Sequence, residues 1–184
     1  MPPNPEPRFP PGYRAARKAF IAACTKARAD AISRAHMGRQ GPDGKPVFID
    51  SVALGPRDAE KGVLVIANDA SASNAAAAFL NEAPAMPKGV RLVVVHALDP
   101  FAFMNAPGDP AWSRAMLEAI ATEDLSRVTA LAVLGFGITE DELTAIFPTD
   151  RKVRLIRKPV TARTDAAKMR NAIEAEVARI QRGN

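Results

Sequence analysis

Residues 62–80, GVLVIANDASASNAAAAFL, set the pattern for the whole chain. Four apolar residues in a row, Val63 to Ile66, read as a strand covered on both faces. A polar turn follows at Asn68, Asp69 and Ser71, and then an alanine-rich helix over about 71–82. The same alternation recurs downstream. Val90–Val95 is a second continuous apolar strand, and Asp109 with Pro110 gives an N-cap and first helical position for a helix striped by Trp112, Met116, Ala119 and Ile120. VTALAVLGFG (128–137) is a further strand, Thr139 and Glu142 form a capping box for a short helix, and KVRLIRKPV (152–160) is the last strand. A final helix from about Thr164 carries Ala166, Met169, Ile173, Val177 and Ile180 on one face.

Before residue 62 the pattern is less regular. Six prolines among residues 1–12 predict an extended N-terminal arm. Tyr13, Phe20, Cys24, Ala27 and Ala31 recur at helical spacing, with Ile21 and Ile32 beside them, and predict one helix over 13–36. GRQGPDGKP (38–46) reads as a break and VFIDSVAL (47–54) as a strand. The short link 55–62 predicts that this strand pairs antiparallel with 63–67. Together the elements predict α/β class: one domain over 13–184, a three-layer α/β/α sandwich with a mostly parallel sheet and an antiparallel strand at the start.

Composition narrows the functional classes. No apolar run approaches the roughly 20 residues of a membrane span, and the N-terminus lacks a secretory apolar core, so a cytoplasmic protein without membrane contact is expected. The single Cys24 excludes an intrachain disulfide and a multi-cysteine zinc site. The net charge of +5 is uneven: residues 1–46 carry +6, 47–150 carry −8 and 151–184 carry +7. No aromatic-basic strand motif or recognition helix accompanies the basic ends, so nucleic acid is not indicated. Basic ends around an acidic middle predict instead an acidic protein partner or self-association. The helix with Phe20, Ile21 and Ile32 and the final helix with Ile173, Val177 and Ile180 are the expected contact elements.

The turns after 63–67 and 90–95 are where a parallel sheet places ligands. They offer Asp69, Ser71, Ser73, Asn74, His96 and Asp99. Only His36 and His96 exist, and neither stands in a metal-ligand spacing; no cofactor is expected. ANDASASN lacks the glycines of a phosphate loop. A hydrolase using Ser71 or Ser73 as nucleophile, His96 as base and Asp69 or Asp99 as orienter lacks the G-x-S-x-G elbow. The simpler expectation is that Ser71 or Ser73 caps the helix and that the His96 ring hydrogen-bonds into its loop. A helix N-terminus at 68–74 could also take a small anion.

Three segments carry a family likeness. GPDGKPVFIDSVALGPRDAEKGVLVI is similar to the opening hairpin and first core strand of an uncharacterised bacterial branch of the zinc carboxypeptidase-like fold, related to metallocarboxypeptidases and aspartoacylases. ANDASASN stands where that branch has S-G-T-H-G-V-E-G, and VVVHALDPFAF resembles its H-A-L-N-P-Y-G-F segment. The resemblance puts Ala70 in place of the zinc-binding histidine and Ser73 in place of the glutamate, and His96 at a family histidine outside the metal shell. No counterpart of the third ligand or of the general-base glutamate is found. What the resemblance implies is a shortened, degenerate member of the fold, without metal, that acts by binding or assembly.

Overall fold

The computed structural model describes residues 12–146, 154–160 and 165–183. The elements are α1 (Tyr13–Lys26), β1 (Ile32–Gln40), β2 (Pro46–Leu54), β3 (Lys61–Ala67), α2 (Ala70–Asn81) and β4 (Val90–His96), then α3 (Pro100–Phe103), α4 (Pro110–Asp124), β5 (Ala130–Phe136), α5 (Glu140–Ile146), β6 (Arg154–Val160) and α6 (Ala166–Gln181). The N-terminal arm, except Gly12, lies outside the described residues.

Six strands form one sheet in the order β1-β2-β4-β3-β5-β6. The β3–β4, β3–β5 and β5–β6 pairs are parallel, and β1–β2 and β2–β4 are antiparallel. Helices α1, α2 and α6 cover one face, where Phe20, Val65, Leu80, Val94 and Ile173 meet. α4 and α5 cover the other, over Leu64, Ile66, Val93, Leu117 and Leu143. This is the expected three-layer sandwich, and the apolar runs explain its order. Val63–Ile66 and Leu92–Val95 are fully buried, so each strand needs a neighbour on both edges and a helix on both faces.

That demand overturns two expectations. β2 does not pair with β3, because β4 inserts between them and β2 pairs with β4 instead. Two strand spacings are only about 10 Å, which residues 55–60 span easily. Gly55 makes the turn at φ +88, where a Cβ would stand 2.3 Å from the Val90 carbonyl oxygen. The predicted helix over 13–36 likewise ends at Lys26, and Ile32–Gln40 is an edge strand paired with β2. The expected break at 38–46 shrinks to a turn between Gln40 and Pro46, closed by the Gly41 N–H on the Lys45 carbonyl.

Smaller corrections concern faces. The buried stripe of α4 is Ser113, Leu117, Ile120 and Ala121, with Trp112 and Met116 only partly covered. Phe20, Ile173, Val177 and Ile180 are core residues at 0%, 1%, 6% and 6% exposure, so they are not available as contact surface. Among the described residues no helix is long and apolar enough to cross a membrane.

Candidate functional site

The two expected turns lie side by side at the carboxyl edge of the sheet. β3 and β4 end in register at Ala67 and His96, and the Ala97 N–H donates to the Ala67 carbonyl at 2.9 Å. The Asp99 N–H donates to Asn68 Oδ1 at 2.9 Å, tying one turn to the other. Asp69 caps α2, accepting the Ala72 N–H at 2.7 Å on Oδ1, and Asp99 caps α3 through Ala102 at 3.1 Å. Neither serine holds the cap that was expected of it. Asp69 can occupy this position because Gly137, at φ +69, faces it: a Cβ there would lie 2.4 Å from Oδ2.

A cleft of about 1030 Å³ opens above these turns. One wall is the start of α2, with Asp69, Ala70, Ser71 and Asn74. Tyr13, Phe103 and Met104 supply apolar surface, and Glu142 and Asp165 approach from the starts of α5 and α6. Glu142 completes the capping box: its Oε2 accepts from the Thr139 N–H at 2.8 Å, and the Glu142 N–H donates to Thr139 Oγ1 at 3.2 Å. Asp165 caps α6 by accepting the Lys168 N–H at 2.8 Å.

The six candidate site residues therefore separate. Asp69, Ser71 and Asn74 line the cleft, whereas Ser73, His96 and Asp99 do not. Ser73 is 1% exposed and its hydroxyl has no hydrogen-bond partner among the described residues. His96 is fully buried, and neither ring nitrogen has such a partner, contrary to the expected loop hydrogen bond. Its ring stacks on Phe20 at 5.0 Å and packs 6.1 Å from both Tyr13 and Phe103, the two rings that face the cleft. Burial, partly opposed by the Asp50 charge, pushes its pKa down to about 4. The neutral ring is the form this site holds.

Sequence reasoning missed the polar cluster beside His96. Asp50 Oδ2 lies 3.8 Å from His96 Nδ1. Asp50 is itself buried and satisfied: Arg17 donates to it at 2.8 and 3.0 Å, and the Ser33 hydroxyl donates at 2.5 Å. Tyr13 is held by donating to the Phe48 carbonyl at 2.7 Å and accepting from the Phe48 N–H at 2.8 Å. Burial raises its pKa to about 12. Asp50 and Phe48 sit in a strand whose apolar pattern drew attention away from them, and their partners lie on α1 and β1. The other histidine, His36, pairs through Nε2 with Asp109 at 2.9 Å while Nδ1 accepts the Gly38 N–H at 3.2 Å. That hydrogen bond holds the Asp109 carboxyl below its ordinary range and pins β1 to the start of α4.

Zinc does not fit this turn. Ala70 lines the cleft but has no donor atom, and Ser73, which could offer only a hydroxyl, is turned into the core. Among the described residues no three His, Cys, Asp or Glu side chains gather as a metal site. A small anion finds little support there either, because the cap of α2 is already filled by Asp69 and among the described residues no Lys or Arg lines the cleft.

The family described as "Protein of unknown function (DUF2817)" matches residues 9–107, more than half of the chain. The chain belongs to the DUF2817 family. The match spans α1 to the tip of α3, so the family region contains the turns and the Tyr13 and Phe103 walls, while Glu142 and Asp165 come from beyond it. No curated protein matches the sequence. Solved structures similar to this DUF2817 member include Porphyromonas gingivalis glutaminyl cyclase, at 12% identity and TM-score 0.42 over 70% of this chain and 55% of that one. Human carnosine dipeptidase 1 is similar at 13% identity and TM-score 0.41, over 68% of this chain and 34% of the dipeptidase. The Legionella pneumophila LapA aminopeptidase is similar at 12% identity and TM-score 0.37, over 89% and 51%. The DUF2817 chain thus spans about half the length of the cyclase and of the aminopeptidase.

Proposed function

We propose that this DUF2817 chain is a carboxypeptidase-like domain without metal chemistry, and that it works by binding, with the strand-end cleft as its ligand site. One observation carries the reading. At the turn where the resemblance expects a histidine and a glutamate to hold zinc, Ala70 faces the cleft with no donor and Ser73 is buried away from it. A large cleft persists over that turn, lined by aromatic, amide and carboxylate groups suited to holding a ligand. Self-association or an acidic protein partner belongs to the same reading.

The test is metal content together with turnover. Protein purified without chelator and dialysed against zinc is expected to retain far less than one zinc per chain. It is also expected to leave peptide C-termini and N-acyl amino acids intact. About one tightly held zinc per chain, accompanied by hydrolysis, overturns the proposal. The serine-hydrolase alternative gains no support from the geometry, since Ser71 lines the cleft while His96 lies behind Tyr13 and Phe103. Labelling of Ser71 or Ser73 by a fluorophosphonate probe would revive it.

A further inference from the structure

We infer that Phe103 is a gate between the cleft and the buried His96, and that a ligand takes the place of its ring and donates a neutral hydroxyl to the imidazole. This rests on reading the cleft as a binding site. The observation behind it is a polar side chain without a partner. His96 is fully buried, and neither ring nitrogen has a hydrogen-bond partner among the described residues. Buried polar groups are almost always paired, so an orphan of this kind calls for an explanation in function. Its position suggests one. The imidazole lies directly behind the aromatic wall of the cleft.

Three rings surround His96, and they differ in how firmly they are held. Phe20 stacks on it at 5.0 Å and is itself fully buried in the core. Tyr13, 6.1 Å away, is fixed by its two hydrogen bonds to the Phe48 backbone. Phe103, also 6.1 Å away, ends the four-residue α3, is only partly buried and lines the cleft. It is the ring that can swing aside, as partly exposed side chains do by rotamer change. The slot it leaves has the shape of one aromatic ring, bounded by Tyr13 and His96. The chemistry of the slot follows from Asp50, whose Oδ2 stands 3.8 Å from Nδ1 and so favours the tautomer with its proton there. Nε2 then carries the lone pair and accepts. Arg17 already compensates Asp50 through bonds of 2.8 and 3.0 Å, so little field remains to draw in a cation. A charged group would also lose its hydration on entry. A hydroxyl on a flat apolar body satisfies both the acceptor and the slot.

Phenol and toluene share one shape and differ in the hydroxyl, so titrating each into isotope-labelled protein decides it. The ring nitrogens of His96 and the backbone amides are followed by NMR. Phenol is expected to move the His96 Nε2 signal and to bind about tenfold tighter than toluene or more. A slot with no acceptor would prefer toluene, the more hydrophobic of the two. His96→Phe keeps the ring and removes the acceptor; a thermal melt verifies that it folds, and in it the preference is expected to pass to toluene. Phe103→Ala removes the gate and is expected to tighten phenol binding about threefold or more, because no closed state then competes with the ligand. Toluene binding as tightly as phenol, or no saturable phenol binding at millimolar concentration, overturns the inference. So does a phenol preference that survives in His96→Phe, or phenol binding that Phe103→Ala leaves unchanged or weakens. Phenol that shifts only cleft amides such as 69–75 overturns it too, yet leaves the cleft standing as a ligand site. Zinc-dependent hydrolysis would instead strike the proposed function and leave the His96 result as measured.

Discussion

His96 is a fully buried imidazole with no hydrogen-bond partner among the described residues and its nearest carboxylate, Asp50, 3.8 Å away. Its pKa falls from 6.5 to about 4 on folding, because burial disfavours the charged ring more than Asp50 favours it, with Arg17 adding to the disfavour. The sign follows from which state takes the proton first. As pH drops below 6.5 the unfolded chain protonates His96 while the folded protein does not, so stability falls until about pH 4, where both states hold the proton. The loss across that window is on the order of 3 kcal/mol. His96→Phe keeps the stack on Phe20 and removes the titration. Urea unfolding at several pH values is therefore expected to show a flatter profile for the variant between pH 6.5 and 4 and higher stability at pH 7. Parallel profiles for the two proteins would show that His96 is not the group responsible. The sequence marked His96 as a strand-end residue but not its surroundings. Arg17, Ser33 and Asp50 lie 16 to 33 residues apart; the antiparallel register of β1 and β2 pairs Ser33 with Asp50, and the packing of α1 brings Arg17 to them.

At the scale of elements, strands that are apolar on both faces were legible, because burial on both sides leaves a run that no amphipathic helix shares. The helix starts were legible too, through Asp109 with Pro110 and through the Thr139–Glu142 box. The end of α1 was not. Residues 27–36 continue a helical spacing of alanines, and no glycine or proline marks the stop. The chain turns instead at Arg28, held at φ 55 while its N–H donates to the Thr25 carbonyl at 3.1 Å and the Ala29 N–H donates to the Cys24 carbonyl at 3.1 Å. This is the left-handed position that helices usually give to glycine, and a side chain there carries a steric cost of about 1 kcal/mol or more. Arg28 is exposed. Arg28→Gly is therefore expected to raise stability by about 0.5 kcal/mol, after allowing for the freer unfolded chain. A urea melt measures it, and a loss of stability would show that the Arg28 side chain contributes more than its backbone costs. The turn at 68–74 was located from sequence, and so were the caps Glu142 and Asp109. That the starts of α2, α5 and α6 share one cleft depends on the strand order β4-β3-β5-β6, which no local pattern records.

Across the whole molecule, the charge asymmetry along the chain becomes an asymmetry between helix layers. Arg14, Arg17, Lys18 and Lys26 on α1, with Lys168, Arg170 and Arg179 against Glu174 and Glu176 on α6, leave the α1/α2/α6 layer at +5. On the opposite side, Glu118, Glu123 and Asp124 against Arg114 on α4, with Glu140, Asp141 and Glu142 on α5, leave that layer at −5. Of the apolar residues first expected to carry self-association, Phe20, Ile173, Val177 and Ile180 are in the core and Ile21 is partly covered, which leaves only Ile32 exposed, so contact between copies falls mainly to these charged faces, including the exposed Lys18 and Lys26. A positive face meeting a negative face is a heterologous contact, which does not close into a symmetric pair and grows with concentration. Its attraction works over the Debye length, about 10 Å at 0.1 M salt and about 3 Å at 1 M. Sedimentation velocity at micromolar concentrations is expected to show a weight-average coefficient that rises with protein at low salt and settles to the monomer value at high salt. A coefficient that stays monomeric at low salt removes self-association and leaves an acidic partner for the +5 face. One that is oligomeric and indifferent to salt would mean that the copies meet through apolar contact instead of through the two layers.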